Sequence, residues 1–354
     1  MDALARLRLA RTEGVGRVMH RRLLSRHGSP EAALEALGRR AWPRDAALRE
    51  MEGLAAIDAH LLFLGGEGYP PLLALLEDAP LVLAAQGDLA AFARRGVALV
   101  GARNASGTGR RFAEDLADAL AVRDICVVSG LARGIDTAAH LGALRSGTTI
   151  AAVAGGLDRP YPRENVALQA RIAAEGGLVL SEAPLGTAPL ARHFPRRNRI
   201  VAGLSLGVVV IEAALQSGTL ITARLAAEAG RELFAVPGHP LDPRSRGSND
   251  LIRRGAKLTE TVEDILLHLP EAPAETPLFR MPLLAELPEE PVEDPLPASD
   301  AATQVLEMMG STPIAVDELG RRCQLSAPKL SALLLELEMS GRIENLPGNR
   351  VALA

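Results

Sequence analysis

The chain has 354 residues, a formal charge of −4 at pH 7 and two cysteines, Cys126 and Cys323. That length allows two or three domains, each with its own core. The charge excludes bulk electrostatic attraction to nucleic acid, and the two distant cysteines exclude a disulfide or cysteine–metal framework, as in a reducing cytoplasm. No apolar run approaches the roughly 20 residues a membrane span needs, and the first eleven residues lack the apolar core of a secretion signal, so no membrane partner is expected. All but Lys257 and Lys329 of the 39 basic residues are arginine. Clustering therefore carries more information than residue identity.

Residues 1–75 read as a small helical domain with helices at 2–10, 16–27, 30–37 and 45–62. The turn Glu13-Gly14-Val15-Gly16 resembles a helix-hairpin-helix, whose glycine amides can approach a phosphate; a tight turn in a helical interaction domain also explains it and, with one hairpin and no partner, is preferred. From 76 to 269 the pattern alternates. Strands are predicted at 97–100, 125–129, 149–154, 178–181, 208–211 and 233–236, all apolar runs rich in valine and isoleucine. Helices are predicted between them at 109–121, 137–145, 165–174, 198–203 and 220–229. Near-continuous apolar strands separated by helices imply a doubly wound, mostly parallel α/β sheet covered on both faces. Cys126 falls in the second of these strands as a buried, inert thiol.

Residues 270–300 are crowded with Pro, Glu and Asp and read as an acidic linker. Residues 301–354 then form a compact unit: helices at 303–309, 316–322 and 327–340, with Ser326 capping the third, and two short strands at 341–344 and 349–352. Three helices and a two-strand wing match a winged helix. Its third helix carries Lys329 but also Glu336 and Glu338, too few cations for a major-groove reader, so protein contact fits better than duplex recognition.

In an open α/β sheet, ligands bind beyond the carboxyl ends of the strands. The loop after the first predicted strand, 101–109, has the glycines of an anion loop but neither the lysine of a Walker loop nor the spacing of a dinucleotide fingerprint. No ATP or NAD site, and no cofactor, is expected. The loop after the second, Ser129-Gly130-Leu131-Ala132-Arg133-Gly134-Ile135-Asp136, exposes backbone and sets Arg133 toward a phosphate. Asp136 and His140 lie four residues apart on one helix face, which suggests either a metal pair or a helix cap beside a packed histidine; no third ligand is in sight, and the cap is preferred. After the fifth, Ser217, Gly218 and Thr219 stand at a helix N-terminus, as a capped turn or a phosphate contact. The densest signal is His193-Phe194-Pro195-Arg196-Arg197-Asn198-Arg199. Three guanidinium groups and one ring within six residues suit a single nucleic-acid strand, with phosphates on the arginines and a base against the ring.

At these residues the chain resembles the DNA processing protein A (DprA/Smf) family. The resemblance lies in Gly-Ala-Arg at 101–103 with Ser106, Ser-Gly-Leu-Ala-Arg-Gly-Ile-Asp at 129–136, Phe-Pro-Arg-Arg-Asn-Arg-Ile-Val-Ala-Gly-Leu-Ser at 194–205, Glu-Ala-Ala-Leu-Gln-Ser-Gly-Thr-Leu-Ile-Thr-Ala at 212–223, Val-Pro-Gly at 236–238 and the stretch from Asn249 to Lys257. It implies an extended Rossmann domain, flanked by an N-terminal helical and a C-terminal winged-helix-like domain, that binds single-stranded DNA and helps load the RecA recombinase. It also implies a homodimer built through the Rossmann domain. Carried over, Arg103 grips a phosphate and the amides of Gly130, Ala132 and Gly134 line the pocket. Phe194 stacks or wedges a base, and Arg196, Arg197 and Arg199 form the positive rim, one of them free to pair with Glu182 or Glu212 instead. Asn198 caps or braces the loop, and Lys257 adds charge. The competing reading is a nucleotide phosphoribohydrolase on the same fold with Glu212 as its catalytic carboxylate, although the double glycine of such enzymes is missing.

Overall fold

The computed structural model describes residues 2–271 and, beyond them, 305–306, 314–316, 319, 323, 330, 333–334, 337–338, 342–346 and 350–353. The chain forms two compact units, 1–290 and 291–354. The first opens with four helices: α1 (Ala3–Arg11), α2 (Arg17–His27), α3 (Pro30–Leu37) and α4 (Arg44–Ala56). Their start and stop signals are local. Asp2 accepts from the Leu4 N–H at 2.9 Å, Ser29 caps α3 with Pro30 behind it, and Gly28 ends α2 in the left-handed region.

The sheet begins earlier than the sequence suggests. Residues 59–62, expected at the end of a helix, belong to β1 (Ala59–Phe63), which pairs antiparallel with β2 (Val82–Gly87). Asp58 at φ 52° turns the chain out of α4, and a short apolar run with no periodicity of its own takes its state from its partner strand. Between them lies the short helix α5 (Pro71–Ala74). A domain boundary at residue 75 would therefore run through the sheet rather than beside it.

The centre follows the predicted alternation: β3 (Gly96–Val100), α6 (Gly107–Val122), β4 (Cys126–Ser129), α7 (Ile135–Ser146), β5 (Thr149–Val153), α8 (Val166–Ala174), β6 (Leu178–Ser181), α9 (His193–Gly203), β7 (Gly207–Val210), α10 (Gly218–Glu228), β8 (Glu232–Ala235), α11 (Arg246–Arg253), β9 (Lys257–Leu258) and α12 (Val262–His268). The strand order is β1-β2-β6-β5-β4-β3-β7-β8-β9, parallel from β6 through β9 and antiparallel at β1 and β2. Alternate residues of each strand feed opposite cores. Ala98 and Val100 of β3 join Ile200 and Val201 of α9 and Ala223 of α10, while Val97 and Leu99 join Leu116 of α6 and Ala139 of α7. Cys126 is buried and its thiol is pushed up to about 12 by that burial, the inert state expected.

The second unit contains β10 (Ile314–Ala315), β11 (Ile343–Leu346) and β12 (Arg350–Leu353), antiparallel in the order β10-β12-β11. Val305, Leu319, Leu330, Leu333, Leu334 and Leu337 gather with Ile343 and Val351 into one core, the winged-helix pattern the sequence predicts with one strand added. The linker from residue 272 onward, Ser326 and Lys329 lie outside the described residues. No helix among the described residues is long and apolar enough to cross a membrane.

Candidate functional site

The chain runs outward from β3 through β4, β5 and β6, then returns to place β7 on the other side of β3. That reversal opens a crevice between the loops after β3 and β7, the usual nucleotide position in such sheets. Here it is filled from within. Ser106 caps α6 by accepting from the Gly109 N–H at 2.8 Å, and its own N–H donates to Glu212 Oε2 at 2.9 Å. The Ser106 hydroxyl donates to Glu212 Oε1 at 2.5 Å. Ser106 is thus a helix cap held in place by Glu212. Glu212→Ala leaves a half-buried N–H and hydroxyl without their acceptor and should cost about 1–2 kcal/mol in urea unfolding.

The next loop shows a similar economy. Asp136 Oδ2 accepts from the Gly130 N–H at 3.1 Å and the Ala132 N–H at 3.3 Å. These amides, expected to face a phosphate, are therefore already satisfied. Asp136 lies inside α7, which starts at Ile135, so it ties down the preceding loop instead of capping the helix. Burial raises its carboxyl above the ordinary value, opposed chiefly by the charge of Arg197. Gly134, at φ +75°, turns so close to the loop after β3 that a Cβ would stand 2.3 Å from the Ala102 carbonyl oxygen. Asn165 braces the loop, donating to the Leu131 carbonyl at 2.9 Å and the Thr137 hydroxyl at 2.8 Å. Arg133 is exposed and bonds Glu164 at 2.8 Å. His140 Nδ1 lies 2.7 Å from Thr149 Oγ1, and no metal cluster forms among the described residues.

The arginine-rich run is itself helical. Because α9 starts at His193, successive side chains turn by about 100° and the linear cluster is spread around the axis. Arg196 is exposed. Arg197 is 6% exposed, donates from Nη1 to the Ala152 carbonyl at 3.0 Å, and has no partner for Nε. It packs across Gly130, where a Cβ would stand 1.6 Å from Nη1. Burial pulls its basicity down to about 10. Arg199 points elsewhere, to Glu182 at 2.7 Å and Asp78 at 3.1 Å. Arg197 is therefore a floor and Arg199 an internal ion pair, and neither is a rim. Asn198 sits mid-helix, where it cannot cap.

What comes together is Phe194, Arg103 and Arg197. The Arg103 guanidinium carbon lies 5.0 Å from the Phe194 ring centre and that of Arg197 5.8 Å, with Tyr161 meeting the ring edge-on at 5.8 Å and 72°. Sequence reading missed Tyr161, although Arg159-Pro160-Tyr161-Pro162-Arg163 sets an aromatic between prolines and arginines. Ser217 caps α10, accepting from the Thr219 N–H at 3.2 Å and donating to the Thr219 hydroxyl at 3.0 Å. Thr219 is buried and Gly218 exposed. Lys257 sits on β9, separated from β3 by β7 and β8, and does not join the cluster.

The family model for DNA recombination-mediator protein A matches residues 60–270, more than half the chain. The chain belongs to the DprA family. Models for a DprA-like N-terminal HHH domain and a DprA winged helix domain match residues 1–53 and 288–349. Protein Smf of Escherichia coli K12 is 41% identical over 302 residues, which cover 83% of this chain and 77% of that protein. DNA processing protein DprA of Streptococcus pneumoniae R6 is 47% identical over 199 residues, 56% of this chain and 70% of the relative. The X-ray structure of S. pneumoniae DprA superposes with a TM-score of 0.59 at 40% identity, over 68% of this chain and 83% of that one. DprA of Helicobacter pylori, whose structure describes its single-stranded DNA binding mode, gives a TM-score of 0.54 at 31% identity, over 60% of this chain and 95% of that one.

Proposed function

We propose that this DprA-family protein binds single-stranded DNA without reading its sequence, on the surface around Arg103, Phe194 and Arg196, and passes the strand to a RecA-type recombinase during recombination and transformation. The observation that carries the reading is the Arg103 guanidinium 5.0 Å from the Phe194 ring at the carboxyl edge of the sheet. A base needs a π-face and a phosphate needs a fork of N–H donors, and this pair offers both within one nucleotide's reach. The DNA-binding mode described for the H. pylori relative supports it. With a net charge of −4 the protein cannot hold DNA by its overall field, so affinity must come from this local basic surface and be salt-sensitive. Arg197 contributes fixed positive potential from below, while Arg103 and Arg196 are the exposed cations that meet phosphates. Occupancy requires Arg103 to slide off the ring toward the backbone, so that a base replaces the guanidinium. A homodimer formed through the sheet domain would hold two strands at once and gain avidity on long tracts. The setting is the cytoplasm, where recombination takes place.

We read Glu212 as a structural acceptor rather than a hydrolase carboxylate, a reading supported by the bonds it accepts from the Ser106 N–H and hydroxyl; incubation with AMP should release no adenine. The direct test is fluorescence anisotropy on a labelled oligo-dT at two salt concentrations. Phe194→Ala should weaken binding by about 1–3 kcal/mol with an unchanged salt slope. Arg103→Ala should weaken it and lower the slope by about 1. Wild-type-like binding by both variants would move the site away from this edge.

A further inference from the structure

We infer that Tyr161 forms a second nucleobase subsite, set at an angle to Phe194, so that two neighbouring bases of one strand are held splayed apart. The inference deepens, and rests on, the single-strand reading above. Among the described residues Tyr161 is the one exposed aromatic side chain, at 46%. Phe63, Tyr69 and Phe234 are buried, and Trp42, Phe92 and Phe112 pack against the cores. A ring left in water at the edge of a nucleic-acid surface is available for stacking at no further cost in exposed polar groups.

The ring stands on a braced loop. The Arg159 N–H donates to the Gly156 carbonyl at 2.9 Å, and the Gly156 N–H to the Thr187 carbonyl at 3.0 Å. Asn165 ties the far end to Leu131 and Thr137. Pro160 and Pro162 fix φ on both sides of Tyr161, so little backbone freedom is lost when a ligand arrives. Two residues away on each side stand Arg159 and Arg163, both exposed. Arg159 approaches only Asp158, at 3.4 Å, and Arg163 forms no ion pair among the described residues. Glu164, the other nearby acid, is already met by Arg133. The loop therefore presents an aromatic face with a cation on either side, the pattern a base and its two flanking phosphates require.

The angle decides what fits. The Tyr161 and Phe194 planes meet at 72° with centres 5.8 Å apart. Bases stacked on one another are parallel, so no stacked pair can lie flat on both rings. One base on each ring demands that the strand unstack and turn between them, which a free single strand does readily and a duplex cannot. The paired rings thereby favour single strands through shape, in addition to charge.

The test uses the full chain and labelled dT oligonucleotides. Tyr161→Ala should raise Kd about five- to a hundredfold, the range of one base stack, while Tyr161→Phe stays within about twofold. The salt slope should not change, because no phosphate contact is lost. On a strand of abasic sites Tyr161→Ala should bind like wild type, and in a Phe194→Ala background it should still lose affinity. An equal loss on the abasic strand, or no further loss in the Phe194→Ala background, overturns the subsite and leaves the ring as a prop for Phe194. A protein that depends on Phe194 but not on Tyr161 overturns this inference alone. A wild type that binds no strand overturns the underlying reading with it.

Discussion

Arg197→Ala should lose about 3–5 kcal/mol of stability and melt on the order of 10 °C below wild type, the largest effect of any single substitution proposed for this edge. The side chain is buried, bonds the Ala152 carbonyl and supplies the leading countercharge to the Asp136 carboxylate. Removing it leaves a buried acid facing an empty volume above Gly130. Arg197→Met keeps most of the volume and none of the charge, so it should remain nearly as unstable, whereas adding Asp136→Asn to it should recover part of the loss. Urea unfolding of the three variants separates packing from charge. A loss below about 1 kcal/mol for Arg197→Ala would show that the buried guanidinium contributes little. The folded fraction should keep the wild-type salt slope for DNA, in contrast to Arg103→Ala, because a buried guanidinium releases no counterion.

Stability should fall as the solution is acidified from pH 6.5, and His140 is the main cause. Burial, assisted by the charge of Arg197, pulls its imidazole from 6.5 down to about 3. The unfolded chain binds a proton below pH 6.5 that the folded chain refuses until about pH 3, so stability is complete above this window and declines through it. At pH 5 the cost is about 2 kcal/mol. Asp136 acts in the opposite direction, since burial raises its carboxyl and the folded state takes that proton first. His140→Leu isolates the imidazole. Thr149 still donates to the Val127 carbonyl at 2.7 Å, so the variant should fold at pH 7 and lose less stability than wild type on going to pH 5. Parallel urea-unfolding profiles for the two proteins at both pH values would remove His140 from the account.

The six central strands were legible from sequence to within one residue at either end. Each is an apolar, β-branched run long enough to be covered on both faces, and that signal is local. The capped turn at Ser217 was legible for the same reason, because a cap bonds an amide only two or three residues away. The outlying strands β1, β2 and β9 were not. Short segments carry no periodicity, and β1 and β2 take their state from strands they meet only after folding. The site was legible in composition and illegible in arrangement. Phe194 was singled out because its type fits the chemistry, and Arg103, 91 positions away in the numbering, through the family resemblance. Arg197 was misplaced because a run of arginines does not state that it will be wound into a helix, whereas Arg199 takes the internal pairing with Glu182 that the sequence left open.

The sequence by itself determined the alternating α/β core and the loops that close the carboxyl edge, since both depend on residue type and short spacing, and its motifs carried the resemblance to the family. Only the tertiary structure decided which guanidinium faces solvent, which is buried and which is paired. Those outcomes depend on the phase of α9 against the sheet and on the carboxylates, Asp136, Glu182 and Asp78, that other segments bring to it. The same reason hid Tyr161. Its closeness to Phe194 comes from the loop after β5 folding back over the edge, a distance no linear spacing contains.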